Sequence, residues 1–187
     1  MSDHSQNSVY TQEIIEFAAA GVEFANKLEH ASELELSEFT EKMLKILPTL
    51  YLKTLALPPY LYNPEEDRVD EYINEVAYEK IKNDVSILLE EHDSYLTTHH
   101  EDMQYSDTPI AVSVSEFLAD VYQQVGNLLG ILKEENEYAL PTAIGKCLFY
   151  FGEYWGRNLL SALTTLHEIK YQILVGDTDN TELNEDY

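Results

Sequence analysis

Basic residues are scarce in this sequence. Eleven Lys and Arg stand against 35 Asp and Glu, a formal charge of −24. A chain so acidic repels phosphate backbones and anionic lipid, which argues against nucleic acid and membrane as partners. It favours solubility and a basic partner. Cysteine is almost missing. The single Cys147 excludes an intramolecular disulfide. It reads as a buried, inert thiol rather than a nucleophile. Glycine and proline are few, 7 and 6, while Leu, Glu and Ala are plentiful, and this balance favours helix. No uncharged apolar run approaches the roughly 20 residues of a membrane helix. The start, MSDHSQNSVY, lacks the basic and apolar parts of a signal peptide. A cytosolic protein is expected.

Motifs are missing too. There is no glycine-rich phosphate loop, dinucleotide fingerprint, Gly-x-Ser-x-Gly elbow or calcium-binding loop. Neither His-Glu-x-x-His nor a Cys/His zinc pattern occurs, and the Glu-x-x-His pair of di-iron bundles is missing. The usual reasons for proposing an enzyme are therefore lacking, and no cofactor is expected.

What the sequence does hold is helical periodicity. With 187 residues and 44% apolar content, one domain with a real core is expected over 9–176. Residues 1–8 are polar and expected to be disordered. So is the tail 177–187, with five acidic and no basic residues. Tyr138 to Gly176 is the longest periodic run and the expected organiser of the fold. Ile144, Leu148, Phe151, Trp155, Leu159, Ala162, Leu166, Ile169 and Ile173 share one sector of a helical wheel. Lys146, Glu153, Arg157, Ser161, Thr164 and Glu168 take the opposite, wet sector. Gly145, Gly152 and Gly156 align at one edge, which predicts close approach of another helix, with a kink at Gly152–Gly156 as the competing reading.

Four shorter helices precede it. They are expected at Val9–His30, Ser37–Ala56 (with Ser37 as N-cap and Pro48 bending or breaking it), Val69–Glu91, and from the capping box Ser113-Val-Ser-Glu116 to Glu134. Leu57 to Asp67, with Pro58, Pro59 and Pro64 beside Tyr60 and Tyr62, is the clearest non-helical segment. His92 to Val112 is a connection long enough to be functional, disordered or to hide an element. The fold class is all-α: a bundle of about five helices with a long C-terminal helix.

Two stretches, Phe117-Leu-Ala-Asp-Val-Tyr122 and Tyr154-Trp-Gly-Arg-Asn-Leu-Leu-Ser-Ala-Leu-Thr-Thr-Leu-His167, together with Leu50-Tyr51 and Leu57-Pro58, resemble an uncharacterised all-helical bacterial domain family. The resemblance spans about residues 10–175. It implies a single helical domain of bacterial type and carries no activity with it. Similar sequences often have His before the Trp-Gly pair, where this chain has Tyr154.

Three constellations are candidates for function. The first is Asp120, Tyr122, Trp155, Arg157 and His167, a small-ligand or enzyme pocket between the fourth and fifth helices. Here Asp120 is expected to bond His167 or Arg157, although core packing explains Trp155 and a Glu153 pair explains Arg157. The second is the acidic loop holding His92, Asp93, His99, His100, Glu101 and Asp102, whose imidazoles and carboxylates suit a transition metal. A solvated loop is the plainer account. The third is an acidic surface rich in tyrosine. Residues 83–132 carry nine acidic residues and no Lys or Arg, and the chain has 14 Tyr, a residue suited to interfaces. The reading preferred is a non-enzymatic cytosolic domain that binds a protein partner, with a basic surface as one candidate, or a second copy of itself.

Overall fold

The computed structural model describes residues 9–97 and 110–174. They form α1 (Gln12–Glu29), α2 (Leu36–Leu55), α3 (Glu75–Leu89), α4 (Val114–Lys133), α5 (Leu140–Tyr150) and α6 (Gly156–Glu168). A π-helical turn, Phe151–Trp155, joins α5 and α6 into one long helix, which closes on a second π segment, Ile169–Leu174. The all-α bundle of five helices with a long C-terminal helix is thus realised. The tails 1–8 and 177–187, and the candidate ligands His99, His100, Glu101 and Asp102, lie outside the described residues. Among the described residues no helix is long and apolar enough to cross a membrane.

The helices follow their apolar spacing. Ile14, Phe17, Phe24 and Leu28 of α1, and Phe39, Met43, Leu47 and Leu50 of α2, are buried. Each such side chain contributes about 1.5–3 kcal/mol of burial free energy. A 3₁₀ turn, Ala31–Glu33, joins the two helices. Lys53, at the end of α2, donates to Glu16, at the start of α1, at 2.7 Å, so the pair runs antiparallel. Ser37 lies in the first turn of α2 rather than at its cap, which is Glu35. Pro48 does not break this helix. It sits on the exposed side, where the missing N–H leaves a carbonyl that water can reach.

α4 is the helix the others share. It packs against α1, α3, α5 and α6, so the organising role expected for the C-terminal run belongs to α4. Ser113 caps it by accepting from the Glu116 N–H at 3.1 Å. The expected connection from His92 to Val112 begins with the end of a 3₁₀ turn, Glu90–His92, and then holds two paired strands. These are β1 (Ser94–Thr97) and β2 (Ile110–Ser113), antiparallel with Ser94 opposite Ser113.

The wheel of the C-terminal helix fails at one point, and the π turn explains why. One extra residue per turn rotates the following helix by about 100°. Before it, Leu140, Ala143, Ile144 and Cys147 are buried; from its last residue onward, Trp155, Leu159, Ala162 and Leu166 are. Leu148, expected inward, is only half-buried, and Cys147 takes its place. The buried Trp155 indole N–H donates to the Cys147 carbonyl at 2.9 Å across the turn. The three aligned glycines do not share one cause. A Cβ on Gly145 would meet the Leu61 carbonyl oxygen at 2.8 Å, so an extended segment, not a helix, presses there. Gly156 abuts Phe151 of the π turn, and Gly152 faces open space.

α3 starts at Glu75, not Val69. Asn74 caps it, accepting from the Ala77 N–H at 2.9 Å. Val76, which the expected helix would have placed about two turns in, lies at its true start and is 79% exposed. Residues 57–74 instead form an extended strap over α4 and α5. Its carbonyls at Tyr60 and Leu61 lie on Gly145. The Tyr72 and Ile73 N–H groups both donate to Asn127 Oδ1, at 2.7 and 2.9 Å. Their side chains lie on Gly130 and Gly126, where a Cβ would clash at 2.2 and 2.7 Å.

Candidate functional site

The strap carries the most distinctive exposed surface. Leu57 is buried and fixes its start. Leu61 is 96% exposed, and Tyr60 beside it is also exposed. The Tyr62 ring lies 5.7 Å from Phe149 and 6.2 Å from Tyr150 of α5. A turn then displays Glu65 and Glu66. Asn63 organises this turn. Its N–H donates to Asp67 Oδ2 at 2.7 Å, and its Oδ1 accepts from Glu65 N–H at 3.1 Å. Arg68 folds back, donating to the carbonyls of Asp67 at 2.8 Å and Glu65 at 3.2 Å. The acidic turn is therefore preformed by local bonds, as Asn and Asp in turns often do. Asp70 and Glu71 continue the exposed acidic edge. Lys146, expected on the wet face of its helix, is covered here and pairs with Glu71 at 2.8 Å.

The aromatic contacts run on from the strap into the bundle. Tyr150 stands 5.7 Å from Tyr154, whose hydroxyl accepts from Gln124 Nε2 at 2.6 Å. Close by is Asp120. Its Oδ1 accepts from the Tyr78 hydroxyl at 2.9 Å and its Oδ2 from Asn158 Nδ2 at 2.8 Å. The partner on the last helix is thus a neutral amide, not His167 or Arg157. Desolvation raises the Asp120 pKa above the usual carboxylate value, and the hydrogen bonds from Tyr78 and Asn158 oppose the rise. Burial pushes the Tyr78 hydroxyl up, and the Asp120 charge adds to the shift. Tyr154 rises for the same two reasons.

The remaining sequence candidates do not join this cluster. Tyr122 turns to α1, where its hydroxyl donates to Glu29 at 2.8 Å. Trp155 is a fully buried core residue. His167 is exposed and lies 4.7 Å from the Tyr171 ring. It lines an open groove of about 510 Å³ with Leu44, Leu163, Thr164, Glu168 and Tyr171. Arg157 donates to the Glu153 carbonyl at 3.1 Å. No shared site therefore unites Asp120, Tyr122 and His167.

Of the metal candidates, His92 and Asp93 lie among the described residues. Asp93 is buried, and its carboxylate accepts from the Ser115 N–H at 2.7 Å and the Ser115 hydroxyl at 2.8 Å. It caps α4 alongside Ser113, where a negative charge also suits the helix dipole. Among the described residues no three His, Cys, Asp or Glu side chains are grouped to hold a metal. Sequence reasoning missed Tyr78, Asn158 and Tyr154 as partners of one cluster. Each shows only ordinary helical spacing, and the signal linking them is tertiary.

A family model described as a domain of unknown function, DUF5063, matches residues 8–172. Among solved structures the chain is similar to protein BF1032 from Bacteroides fragilis, known from its crystal structure. The TM-score is 0.75 at 28% sequence identity, over 87% of this chain and 95% of that one. No curated protein matches the chain. The helical family resemblance read from Phe117–Tyr122 and Tyr154–His167 agrees with both findings.

Proposed function

For a chain that belongs to the DUF5063 family of domains of unknown function, we propose a non-enzymatic helical module that docks a basic protein segment on its strap. One observation carries this reading. A rigidly held strap exposes an almost bare Leu61 next to Tyr60 and the preformed acidic turn at Glu65 and Glu66. An apolar anchor ringed by charge of one sign suits a partner that alternates apolar and basic side chains. Preorganisation lowers the cost of binding, because the strap is already fixed by Asn127 and Gly145. A cytoplasmic setting fits the single, buried free thiol.

The test uses labelled peptides that alternate Lys or Arg with Leu or aromatic residues, against all-lysine peptides of equal charge. Fluorescence polarisation should report binding of the alternating peptides, weaker at high salt. Leu61→Ser, and reversal of Glu65, Glu66 and Asp70 to Lys, should each abolish it. Reversal of three acids elsewhere, Glu23, Glu33 and Glu91, should leave it intact. Equal loss from both reversals would mean unspecific attraction and would end this reading.

A further inference from the structure

Asp120 carries its charge half-buried and without a cation. Among the described residues no Lys or Arg forms an ion pair with it; both its oxygens take hydrogen bonds from neutral donors, Tyr78 and Asn158. Lys82, whose charge reaches Asp120, is engaged with Glu116 at 3.6 Å. Glu116 lies one turn away on the same helix, and Glu79 acts on Tyr78. Three carboxylates thus share this edge with one ammonium group. A buried carboxylate left without a counter-charge is costly, and either a proton or a cation relieves it.

The hydrogen-bonding inventory is also incomplete. Tyr154 accepts from Gln124 but donates its own proton to no acceptor among the described residues. Asn158 uses its amide N–H on Asp120, which leaves its carbonyl oxygen open. Each Asp120 oxygen has spare lone pairs after one bond. The Tyr154 ring, 5.7 Å from that of Tyr150, adds an aromatic face, and aromatic faces attract cations.

We propose that Asp120, Asn158 and the Tyr78 and Tyr154 side chains form a binding site for a primary ammonium group. Ammonium offers three donors, and Asp120, the Asn158 carbonyl and a tyrosine oxygen are three acceptors. A guanidinium fork fits less well, since it needs both carboxylate oxygens free in one plane and here each already holds a neutral donor. The ammonium comes either from a free amine or from a lysine side chain of a bound protein. The site stands apart from the strap, although the Tyr62, Tyr150 and Tyr154 ring contacts connect the two surfaces.

The test is a titration of the full chain with n-butylammonium, followed by the NMR signals of Tyr78, Tyr154 and the Asn158 side-chain amide. Saturable shifts at these three groups are expected. Asp120→Asn should weaken binding by about ten-fold or more, the scale of one lost charge-assisted bond. Tyr154→Phe should weaken it by a smaller factor, and it serves if Asp120→Asn perturbs the fold. Butanol should not bind, and n-butylguanidinium should bind more weakly. Tighter binding of Nα-acetyl-lysine methylamide than of n-butylammonium assigns the site to a lysine side chain; the reverse order assigns it to a free amine. Shifts spread over the acidic surface, or unchanged by both substitutions, would overturn the proposal. The variant with Glu65, Glu66 and Asp70 reversed should still bind n-butylammonium, so failure of the strap reading and failure of this site are told apart.

Discussion

The ring of Tyr72 lies over Gly130, so close that a methyl group there would sit 2.2 Å from the ring Cγ. This contact seats the strap on α4. A Gly→Ala change inside a helix normally gains about 1 kcal/mol in propensity. Here the obstacle is a ring whose hydroxyl is tied to Glu134 at 2.6 Å, so the ring cannot swing aside freely. Gly130→Ala should therefore destabilise the chain by about 1–3 kcal/mol, the range for overpacking. Chemical denaturation reads the sign directly. A stabilised variant would show that the strap moves away without cost.

Asn127 holds the same strap by its backbone. Its Oδ1 accepts from two N–H groups, those of Tyr72 and Ile73. Asn127→Ala leaves both donors without partner and should cost about 2–4 kcal/mol, against about 1 kcal/mol for the N-cap change Asn74→Ala. Asn127→Asp keeps the acceptor and should lose less than Asn127→Ala. Faster proteolysis between Tyr60 and Asn74 in Asn127→Ala would locate the damage in the strap.

These two contacts also explain what the sequence conveyed and what it hid. The faces of α1, α2 and α4 were legible because spacings of three and four repeat over several turns. Val69, Tyr72 and Ile73 fit the same spacing, yet they are extended. The acceptor that decides this, Asn127, is 54 residues from Ile73, and no local pattern encodes it. Cys147 and Leu148 exchanged places for a similar reason, since a π turn leaves no clear mark on composition. Asp120 was legible as a polar residue of a candidate pocket between the fourth and fifth helices. Its true partners, Tyr78 and Asn158, stand on two other helices, and their identity depended on the packing of three elements at once.

Asp120 should also set a pH dependence. Its unfolded carboxyl titrates near the ordinary 3.8, while desolvation raises the folded value. Between the two, the folded chain holds more protons than the unfolded chain. Stability from this group therefore falls as pH rises through that window. Asp120→Asn mimics the neutral form and should be more stable than the parent at neutral pH, with the gap closing toward acid. Denaturation midpoints compared between about pH 4 and 7 give the answer. A gap that widens toward acid would show that the carboxylate is the stabilising form.

Asp93 separates a structural role from a metal role. Its bonds to the Ser115 N–H and hydroxyl make it a helix cap. Asp93→Ala should cost about 1–3 kcal/mol, the range for a lost cap and a stranded donor. The loss should be the same with added zinc or with a chelator. A parent protein that zinc stabilises, through a response that Asp93→Ala removes, would restore the metal reading for His92 and Asp93.

The alkaline limb belongs to the tyrosines and the thiol. Tyr78 and Tyr122 both have raised pKa values, from burial first and from their carboxylate partners Asp120 and Glu29 next. Tyr72 is pushed to about 12, chiefly by its bond to Glu134. For each, the folded chain keeps its proton above the ordinary value of 10.0, where the unfolded chain has lost it. Their contribution is complete below that pH and is lost as pH climbs toward the folded values. Phenolate absorbance should then rise in two stages. The bonded tyrosines ionise in the later stage, together with unfolding. Cys147, at about 12 through burial alone, should resist thiol reagents until the same transition. Tyr122→Phe removes one such proton and the bond to Glu29, so it should lower neutral stability by about 0.5–1.5 kcal/mol and flatten the alkaline decline. Thiol labelling that begins well before the cooperative absorbance step would show that α5 opens on its own and that Cys147 is reached by local rather than global unfolding.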